Sequence, residues 1–230
     1  MATLYITATP IGNLEDITYR AVRVLSQVDV IACEDTRHTR ILLDRYNITG
    51  KRLIACHARN EDNSSDGIIK LLEEGLDIAY VSDAGTPGIN DPGGKVVSAA
   101  RKAGFEVVPV PGPSAVATLV SVAGFTGKTF TFEGFLSPKP GRRRSRLAQL
   151  LDRDETFIVY ESPYRVARLL ADIADLAPQR QLTVGREMTK AFEQFICGTA
   201  SEVLSALTQP KGEFAVLVHP SAAAEPDEED

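Results

Sequence analysis

The chain has 230 residues, of which 43% are hydrophobic and 24% charged, the composition of an ordinary globular protein. No apolar run approaches the ~18 residues of a membrane-spanning helix, the N-terminus lacks a signal-peptide pattern, and three scattered cysteines exclude a disulfide scaffold, so we expect a cytoplasmic protein with reduced thiols packed mostly in its core. The net charge is −6, but five acidic residues lie in the last six positions, which leaves the rest of the chain almost neutral.

The first half of the chain alternates between short apolar runs and stretches with helical spacing. Strands are predicted at Leu4–Ala8, Val28–Cys33, Arg52–Cys56, Asp77–Ser82 and Glu106–Val110. Helices are predicted after an N-capping Asp16 and at Thr36–Tyr46, Ser65–Glu74 and Gly94–Ala103. This alternation predicts an α/β fold with a mostly parallel sheet that is covered on both faces.

Three prolines within residues 109–113 mark the best candidate domain boundary, because they disfavour both a central strand and a helix interior. We therefore predict an N-terminal α/β domain at 1–111, a C-terminal α/β domain at 112–220 and a disordered acidic tail at 221–230. In the C-terminal domain, strands are predicted at Thr129–Phe135, Thr156–Tyr160, Leu182–Arg186, Ala191–Cys197 and Glu213–Val218. Helices are predicted at Ser114–Val122, Arg142–Leu151, Pro163–Asp175 and Ser201–Leu207. The alternation in TFTFEGF indicates a half-buried strand, and the second sheet is expected to be mixed.

The most informative segment is the loop after the fourth strand, SDAGTPGINDPGG at residues 82–94. Ligands of open parallel sheets bind beyond the carboxyl ends of strands, and glycines allow a backbone to approach a ligand closely. Asp83 and Asp91 would repel a phosphate, and the sequence has neither GxGxxG nor GxxxxGK[ST]. The loop therefore favours a ligand with hydroxyls, an amine or a positive centre.

This loop is similar to a block of the tetrapyrrole methylases, which are class III S-adenosylmethionine methyltransferases. TPIGNLEDIT, EDTRHT, PVPGPSA, YESPYR, GREMTK and GEFAVLV match further blocks in the same order, from about residue 3 to about residue 219. More narrowly, the chain resembles the branch that methylates the 2′-oxygen of a cytidine in 16S rRNA of the small ribosomal subunit. The resemblance implies two α/β domains, a homodimer, and S-adenosylmethionine held in a cleft between the domains.

Carried over by position, the resemblance assigns cofactor contacts to residues in both domains. They are Pro10, Asp83, Ala84, Gly85, Ile89, Ser114, Ala115, Tyr160, Arg186 and Ala215. Most of these contacts are expected to be backbone or apolar, so that the protein supplies orientation and the cofactor supplies the reactive group.

The implied reaction is an in-line methyl transfer to a ribose 2′-hydroxyl, a poor nucleophile that benefits from losing its proton. Asp35 follows a strand end, and we expect it to accept this proton or to orient the hydroxyl; the alternative is that it caps a helix. Arg37 and His38 are expected near RNA. The second candidates for catalysis are Glu161, Arg165, Glu187 and Lys190.

One basic cluster, at residues 139–146, leads from a loop into a helix. Cations are not favoured at a helix N-terminus, which suggests an external anion. We expect Arg142, Arg143 and Arg144 to contact RNA phosphates, and the alternative is a solvated charged face.

Three rival functions remain. A methylase of corrinoid-type macrocycles shares the family, and a non-enzymatic RNA-binding module could use Phe130, Phe132 and Phe135, although their alternation favours core positions for Phe130 and Phe132. A serine hydrolase at Ser114 is disfavoured because GPSAV lacks the second glycine of GxSxG. The scattered histidines and cysteines predict no metal site, and His219 is expected to be a surface residue.

Overall fold

The computed structural model describes residues 2–56, 61–207 and 211–221, of which 61–63 are described by their backbone alone. The chain divides into two compact units, residues 1–114 and 115–230. The first unit thus runs three residues beyond the predicted boundary at 111. The predicted acidic tail lies, apart from Ser221, outside the described residues.

The first unit contains a five-stranded sheet in which every pair of neighbours is parallel, in the order β3-β2-β4-β1-β5. Its strands are β1 (Thr3–Thr7), β2 (Val30–Cys33), β3 (Arg52–Ala55), β4 (Ile78–Val81) and β5 (Glu106–Val110). Its helices are α1 (Tyr19–Gln27), α2 (Thr36–Arg45), α3 (Glu61–Glu73) and α4 (Gly94–Lys102), with a 3₁₀ turn at Leu14–Asp16. The predicted parallel sheet is confirmed.

Both faces of this sheet are buried, which explains why β2 and β4 are continuous apolar runs rather than alternating ones. Leu4 and Ile78 belong to the hydrophobic cluster on one face, and Leu25 and Ile31 belong to the cluster on the other. The predicted cap of α1 was wrong. Thr18, not Asp16, accepts the hydrogen bond from the backbone N–H of Ala21, because Asp16 lies one turn earlier in the 3₁₀ segment.

The second unit contains a mixed sheet in the order β6-β7-β10-β8-β9, as predicted. β6 and β7 are parallel, whereas the other neighbours are antiparallel. The strands are β6 (Phe130–Phe135), β7 (Thr156–Glu161), β8 (Gln181–Arg186), β9 (Gln194–Thr199) and β10 (Phe214–Val218). The helices are α5 (Ala115–Val122), α6 (Pro140–Asp152), α7 (Val166–Leu176) and α8 (Ala200–Ala206).

The main hydrophobic cluster of the second unit lies on one face of its sheet, where Phe157, Val184 and Val216 pack with residues of α6, α7 and α8. The expectation that Phe130 is a core residue was wrong: its side chain is 40% exposed, because β6 is an edge strand. Phe130 instead packs edge-on against Phe125.

The cysteines fit reduced thiols that are mostly packed in the core. Cys33 and Cys56 are buried, burial raises the pKa of Cys56 to about 11, and Cys197 is exposed. Within the described residues, no helix is both long enough and apolar enough to span a membrane.

Candidate active site

Loops from four strands of the first unit meet at one edge of its sheet. Because all five strands are parallel, the chain leaves β1, β2, β4 and β5 on the same side, through loops that begin at residues 8, 34, 82 and 111. This edge collects the segments that the sequence analysis singled out.

The loops after β1 and β4 are joined by reciprocal backbone hydrogen bonds. The N–H of Thr9 donates to the carbonyl of Gly85 over 2.9 Å, and the N–H of Gly85 donates to the carbonyl of Thr9 over 3.0 Å. The hydroxyl of Thr9 also donates to the carbonyl of Ser82 over 3.1 Å. Pro10 and Gly85, both predicted cofactor contacts, are thereby fixed side by side.

A hydrogen bond also joins the loop after β5 to the loop after β4. The hydroxyl of Thr86 donates to the carbonyl of Pro113 over 3.0 Å, directly before the predicted contact Ser114. Gly112 is required by close packing, since a Cβ there would lie 3.0 Å from the Cβ of Ala8. The three loops therefore form one cross-linked frame whose free backbone groups are held in place.

The predicted contacts in this frame differ in exposure. Asp83, Ala84 and Ile89 are exposed, whereas Pro10 is buried and Ser114 is half-buried. The frame thus presents Asp83 and Ala84 to solvent on a support that cannot easily shift.

Carboxylates gather around the loop after β4. Oδ1 of Asp83 accepts the backbone N–H of Asp35 over 2.9 Å, and Oδ2 lies 3.4 Å from Nδ1 of His38. Burial raises the pKa of Asp91 to about 6, and the negative charges of Glu34 and Asp83 raise it further. No hydrogen bond to the Asp91 carboxyl is found among the described residues.

The carboxylate of Asp35 is engaged in local hydrogen bonds and an ion pair. Its carboxylate caps α2 by accepting the backbone N–H of Arg37 over 2.8 Å, and it pairs with the Arg37 guanidinium at 2.6 Å. These contacts hold the pKa of Asp35 far below its usual range, which makes it a weak proton acceptor. Arg37 and His38 both lie at the exposed start of α2, Arg37 paired with Asp35 and His38 beside Asp83.

An acidic edge with cross-linked loops fits S-adenosylmethionine, which carries a positive sulfonium and an ammonium group. The carboxylates of Asp83 and Asp91 provide negative potential, and the exposed Ala84 has a small side chain that leaves the loop backbone accessible there. A phosphate ligand would be repelled here. Among the described residues, no group of His, Cys, Asp and Glu side chains has the arrangement of a metal site.

The predicted contacts in the second unit do not share one face of its sheet. Tyr160 and Ala215 are direct cross-strand neighbours, with Gly185 on the other side of Ala215. Arg186 follows Gly185 and therefore points to the opposite face, where its Nε donates to the carbonyl of Lys211 over 2.6 Å. Ala115 is the first residue of α5.

The arginine cluster at the start of α6 requires a correction. Arg143 is only 5% exposed, and its Nε donates to Asp172 over 2.7 Å, so it is not available to RNA phosphates. Arg144 pairs with Asp172 and Asp175. Arg142 alone of the three is exposed without an ion pair among the described residues.

The second candidates for catalysis are also paired with one another. Glu161 and Arg165 form an ion pair of 2.7 Å, and Glu187 and Lys190 form one of 2.9 Å. His219 is not a free surface residue as expected: it is half-buried, with Nε2 3.1 Å from the Thr183 hydroxyl, and burial lowers its pKa.

The sequence analysis missed the residues that join the loops. Thr9, Ser82 and Thr86 lie within the quoted blocks, but the sequence assigns them no role, because small hydroxyl side chains next to turns are common in loops. Asp91 was noticed as a carboxylate at this edge, but its pKa is raised mainly by burial and then by Glu34 and Asp83, none of which the residues next to it in the sequence reveal.

Comparisons with known proteins give a consistent result. The family model described as Tetrapyrrole (Corrin/Porphyrin) Methylases matches residues 3–204. The chain is 46% identical to a Ribosomal RNA small subunit methyltransferase I of Neisseria meningitidis serogroup B, over 95% of this chain and 76% of that protein. It is 45% identical to the protein of the same name from Borrelia garinii subsp. bavariensis, over 96% of this chain and 100% of that protein.

Solved structures share the fold at low identity. The methyltransferase CobJ superposes with a TM-score of 0.73 at 18% identity, over 98% of this chain and 97% of that chain. A uroporphyrin-III-C-methyltransferase from Thermus thermophilus superposes with a TM-score of 0.68 at 17% identity, over 95% and 94%.

Proposed function

The chain belongs to the tetrapyrrole methylase family, and we propose that it transfers a methyl group from S-adenosylmethionine to the 2′-oxygen of a cytidine in 16S rRNA of the small ribosomal subunit. The observation that carries the chemistry is the acidic, cross-linked loop frame at the edge of the first sheet. The substrate follows from the relatives named for the small subunit, which this chain matches over almost its whole length.

The proposed cofactor contacts come from residues of both units. When bound, S-adenosylmethionine supplies a methyl group on a positively charged sulfur. Ser114 follows the carbonyl that Thr86 holds, Pro10 and Gly85 shape the support beneath the cofactor, and Asp83 offers a carboxylate to the positive charge. Ala115, Tyr160 and Ala215 stay predicted contacts, and Arg186 contributes through its backbone, because its guanidinium is bound to Lys211.

The proton of the ribose hydroxyl needs an acceptor, and Asp91 suits this role better than Asp35. Its carboxyl has no hydrogen-bond partner among the described residues, and its pKa of about 6 lies near the working pH. Asp35 orients the neighbouring groups instead, through its backbone N–H to Asp83.

Paired variants test this assignment. Asp91→Asn is expected to lower methyl transfer by about 100-fold or more, the usual contribution of a general base. Asp35→Asn keeps a side chain that can cap α2 and is expected to retain most activity. Loss of turnover in Asp35→Asn with normal turnover in Asp91→Asn would reverse the two roles.

The proposed function itself is tested by transfer of labelled methyl groups to isolated small ribosomal subunits, to naked 16S rRNA and to precorrins. We expect label in the RNA, resistant to alkaline hydrolysis at the modified nucleotide because the 2′-oxygen is blocked. Label in the precorrin alone would make the protein a macrocycle methylase.

The proposal also includes a homodimer in the cytoplasm, as the resemblance implies. Sedimentation equilibrium of the purified chain tests the dimer, and a monomer at micromolar concentration contradicts it.

A further inference from the structure

One edge of the second sheet carries four loops that the proposed chemistry does not use. β6, β7 and β8 end at this edge, and β9 and β10 begin there, as the pairing of Phe214 with both Glu161 and Arg186 shows. The loops span residues 136–139, 162–165, 187–193 and 211–213. We call this edge the loop edge.

Two aromatic side chains of the loop edge are strongly exposed. Tyr164 follows β7 and is 88% exposed, and Phe192 follows β8 and is 77% exposed. The two strands are separated only by β10, so their ends lie about 10 Å apart. Isolated exposed apolar residues are common, but two large rings on adjacent loops form a surface that favours a partner.

The turn that carries Tyr164 is rigid. The side chain of Glu161 is fully buried beneath it, accepts the backbone N–H of Ser162 over 2.7 Å, and pairs with Arg165 at 2.7 Å. The exposed position of Tyr164 is therefore built into the turn, and little backbone entropy is lost when a partner binds the ring.

The loop that carries Phe192 is rigid as well, and it is strained. Lys190 bridges Glu187 and Glu213 with two contacts of 2.9 Å. Glu187 and Thr189 adopt positive φ angles of 48° and 67°, which cost free energy in residues other than glycine. The exposed position of Phe192 is therefore also fixed by the backbone and the ion pairs of its loop.

The loop edge carries a net positive charge. Within the described part of the chain, no ion pair includes Lys139, Arg142, Arg186 or Lys211, although all four lie on the loop edge or directly after it. Among the carboxylates, Glu161 pairs with Arg165, Glu187 and Glu213 share Lys190, and Glu193 accepts the backbone N–H of Thr189. The four cations outside ion pairs, together with Arg165 and Lys190, outnumber these carboxylates, which leaves a positive charge that suits a polyanion.

Resting on the proposed RNA substrate, we propose that the loop edge binds single-stranded RNA, with bases stacked on Tyr164 and Phe192 and phosphates near the four cations. Exposed rings accept unpaired bases, whereas a duplex hides its base faces. This surface would hold nucleotides that flank the methylated one in the substrate strand.

A tryptophan reporter tests stacking directly, because the chain contains no tryptophan. Phe192→Trp introduces one whose fluorescence is quenched when a base stacks on it, and we expect quenching by a single-stranded RNA of about 10 nucleotides. The same RNA annealed into a duplex is expected to quench far less. Failure of the single strand to bind, or binding without quenching, would overturn the inference.

Alanine variants give the size of the effect. Tyr164→Ala and Phe192→Ala are each expected to weaken binding of this RNA by about 5- to 100-fold, without changing its salt dependence, because neither ring carries charge. Tyr164→Phe should restore affinity. Tyr19→Ala removes an equally exposed ring from the first unit and should have no effect.

Two outcomes separate this inference from the proposed function. If the wild-type protein methylates ribosomal RNA and both alanine variants bind and methylate it normally, only the loop edge is wrongly assigned. If the wild type transfers no methyl group to RNA, the proposed function fails, while quenching of the reporter still decides the binding surface. A change of oligomeric state in the alanine variants with unchanged RNA affinity would assign the rings to a protein interface.

Discussion

Asp35 and Asp91 lie at the same edge of one sheet, but their surroundings move their pKa values in opposite directions. Hydrogen bonds and charge from Arg37 lower the pKa of Asp35, whereas burial and neighbouring carboxylates raise that of Asp91. Two carboxyl groups whose pKa values are moved apart in this way take different roles at neutral pH. This difference supports our proposal that Asp35 is structural and that Asp91 accepts the proton.

The raised pKa of Asp91 predicts a pH-dependent stability. The folded chain binds this proton more tightly than the unfolded chain, so the free energy of unfolding falls as the pH rises from about 4 to about 6. The side chain of Asp91→Asn cannot ionise. We therefore expect the free energy of unfolding of this variant at pH 7 to exceed that of the wild type by on the order of 1 kcal/mol, given the partial exposure of the group.

Urea unfolding at pH 4 and pH 7, followed by circular dichroism, measures this difference. The gain should shrink toward zero at pH 4, where Asp91 is protonated in the folded chain. Asp66 is exposed on α3, and Asp66→Asn serves as the control. An equal gain in the free energy of unfolding in this variant would contradict the role of the raised Asp91 pKa.

At the scale of elements, the loop after β4 depends on glycine at its junction with α4. Gly93 has a φ of 134°, and a Cβ there would lie 3.2 Å from a ring carbon of Tyr80. Gly94 is the first residue of α4, and a Cβ there would meet nothing within 4 Å. Two adjacent glycines therefore have different roles.

Alanine substitution separates these roles. We expect Gly93→Ala to lower the free energy of unfolding by about 1–3 kcal/mol, because it strains the backbone and crowds Tyr80. Gly94→Ala should be neutral or stabilising by up to about 1 kcal/mol, since alanine favours helix. Equal losses in the two variants, measured by urea unfolding, would contradict this account.

The start of α6 also combines two roles in neighbouring arginines. Arg143→Ala leaves Asp172 buried with only Arg144 as a partner, and we expect a loss of about 3 kcal/mol in the free energy of unfolding. Arg142→Ala should not change stability but should reduce the salt dependence of RNA binding by about one phosphate contact. If Arg143→Ala instead reduced the salt dependence of RNA binding without a loss of stability, the predicted phosphate contact of Arg143 would be restored.

At the scale of the whole molecule, local sequence patterns predicted the elements and the edge where the loops meet. The apolar run at Val28–Cys33 and the turn at 82–94 can be recognised from residues that are neighbours in the sequence. A parallel sheet then brings the carboxyl ends of its strands together. The partners of side chains could not be predicted in this way. Arg143 reads as one cation in a charged run, and only the packing of α6 on α7 places it against Asp172.

The first strand of the chain lies between β4 and β5 in its sheet, which has a consequence for synthesis on the ribosome. β1 is translated before both of its hydrogen-bonding neighbours, which are encoded more than 70 residues later. At about 5–20 residues per second, its apolar segment waits several seconds before either neighbour is available. This segment of the nascent chain therefore stays unpaired until the sheet can close around it.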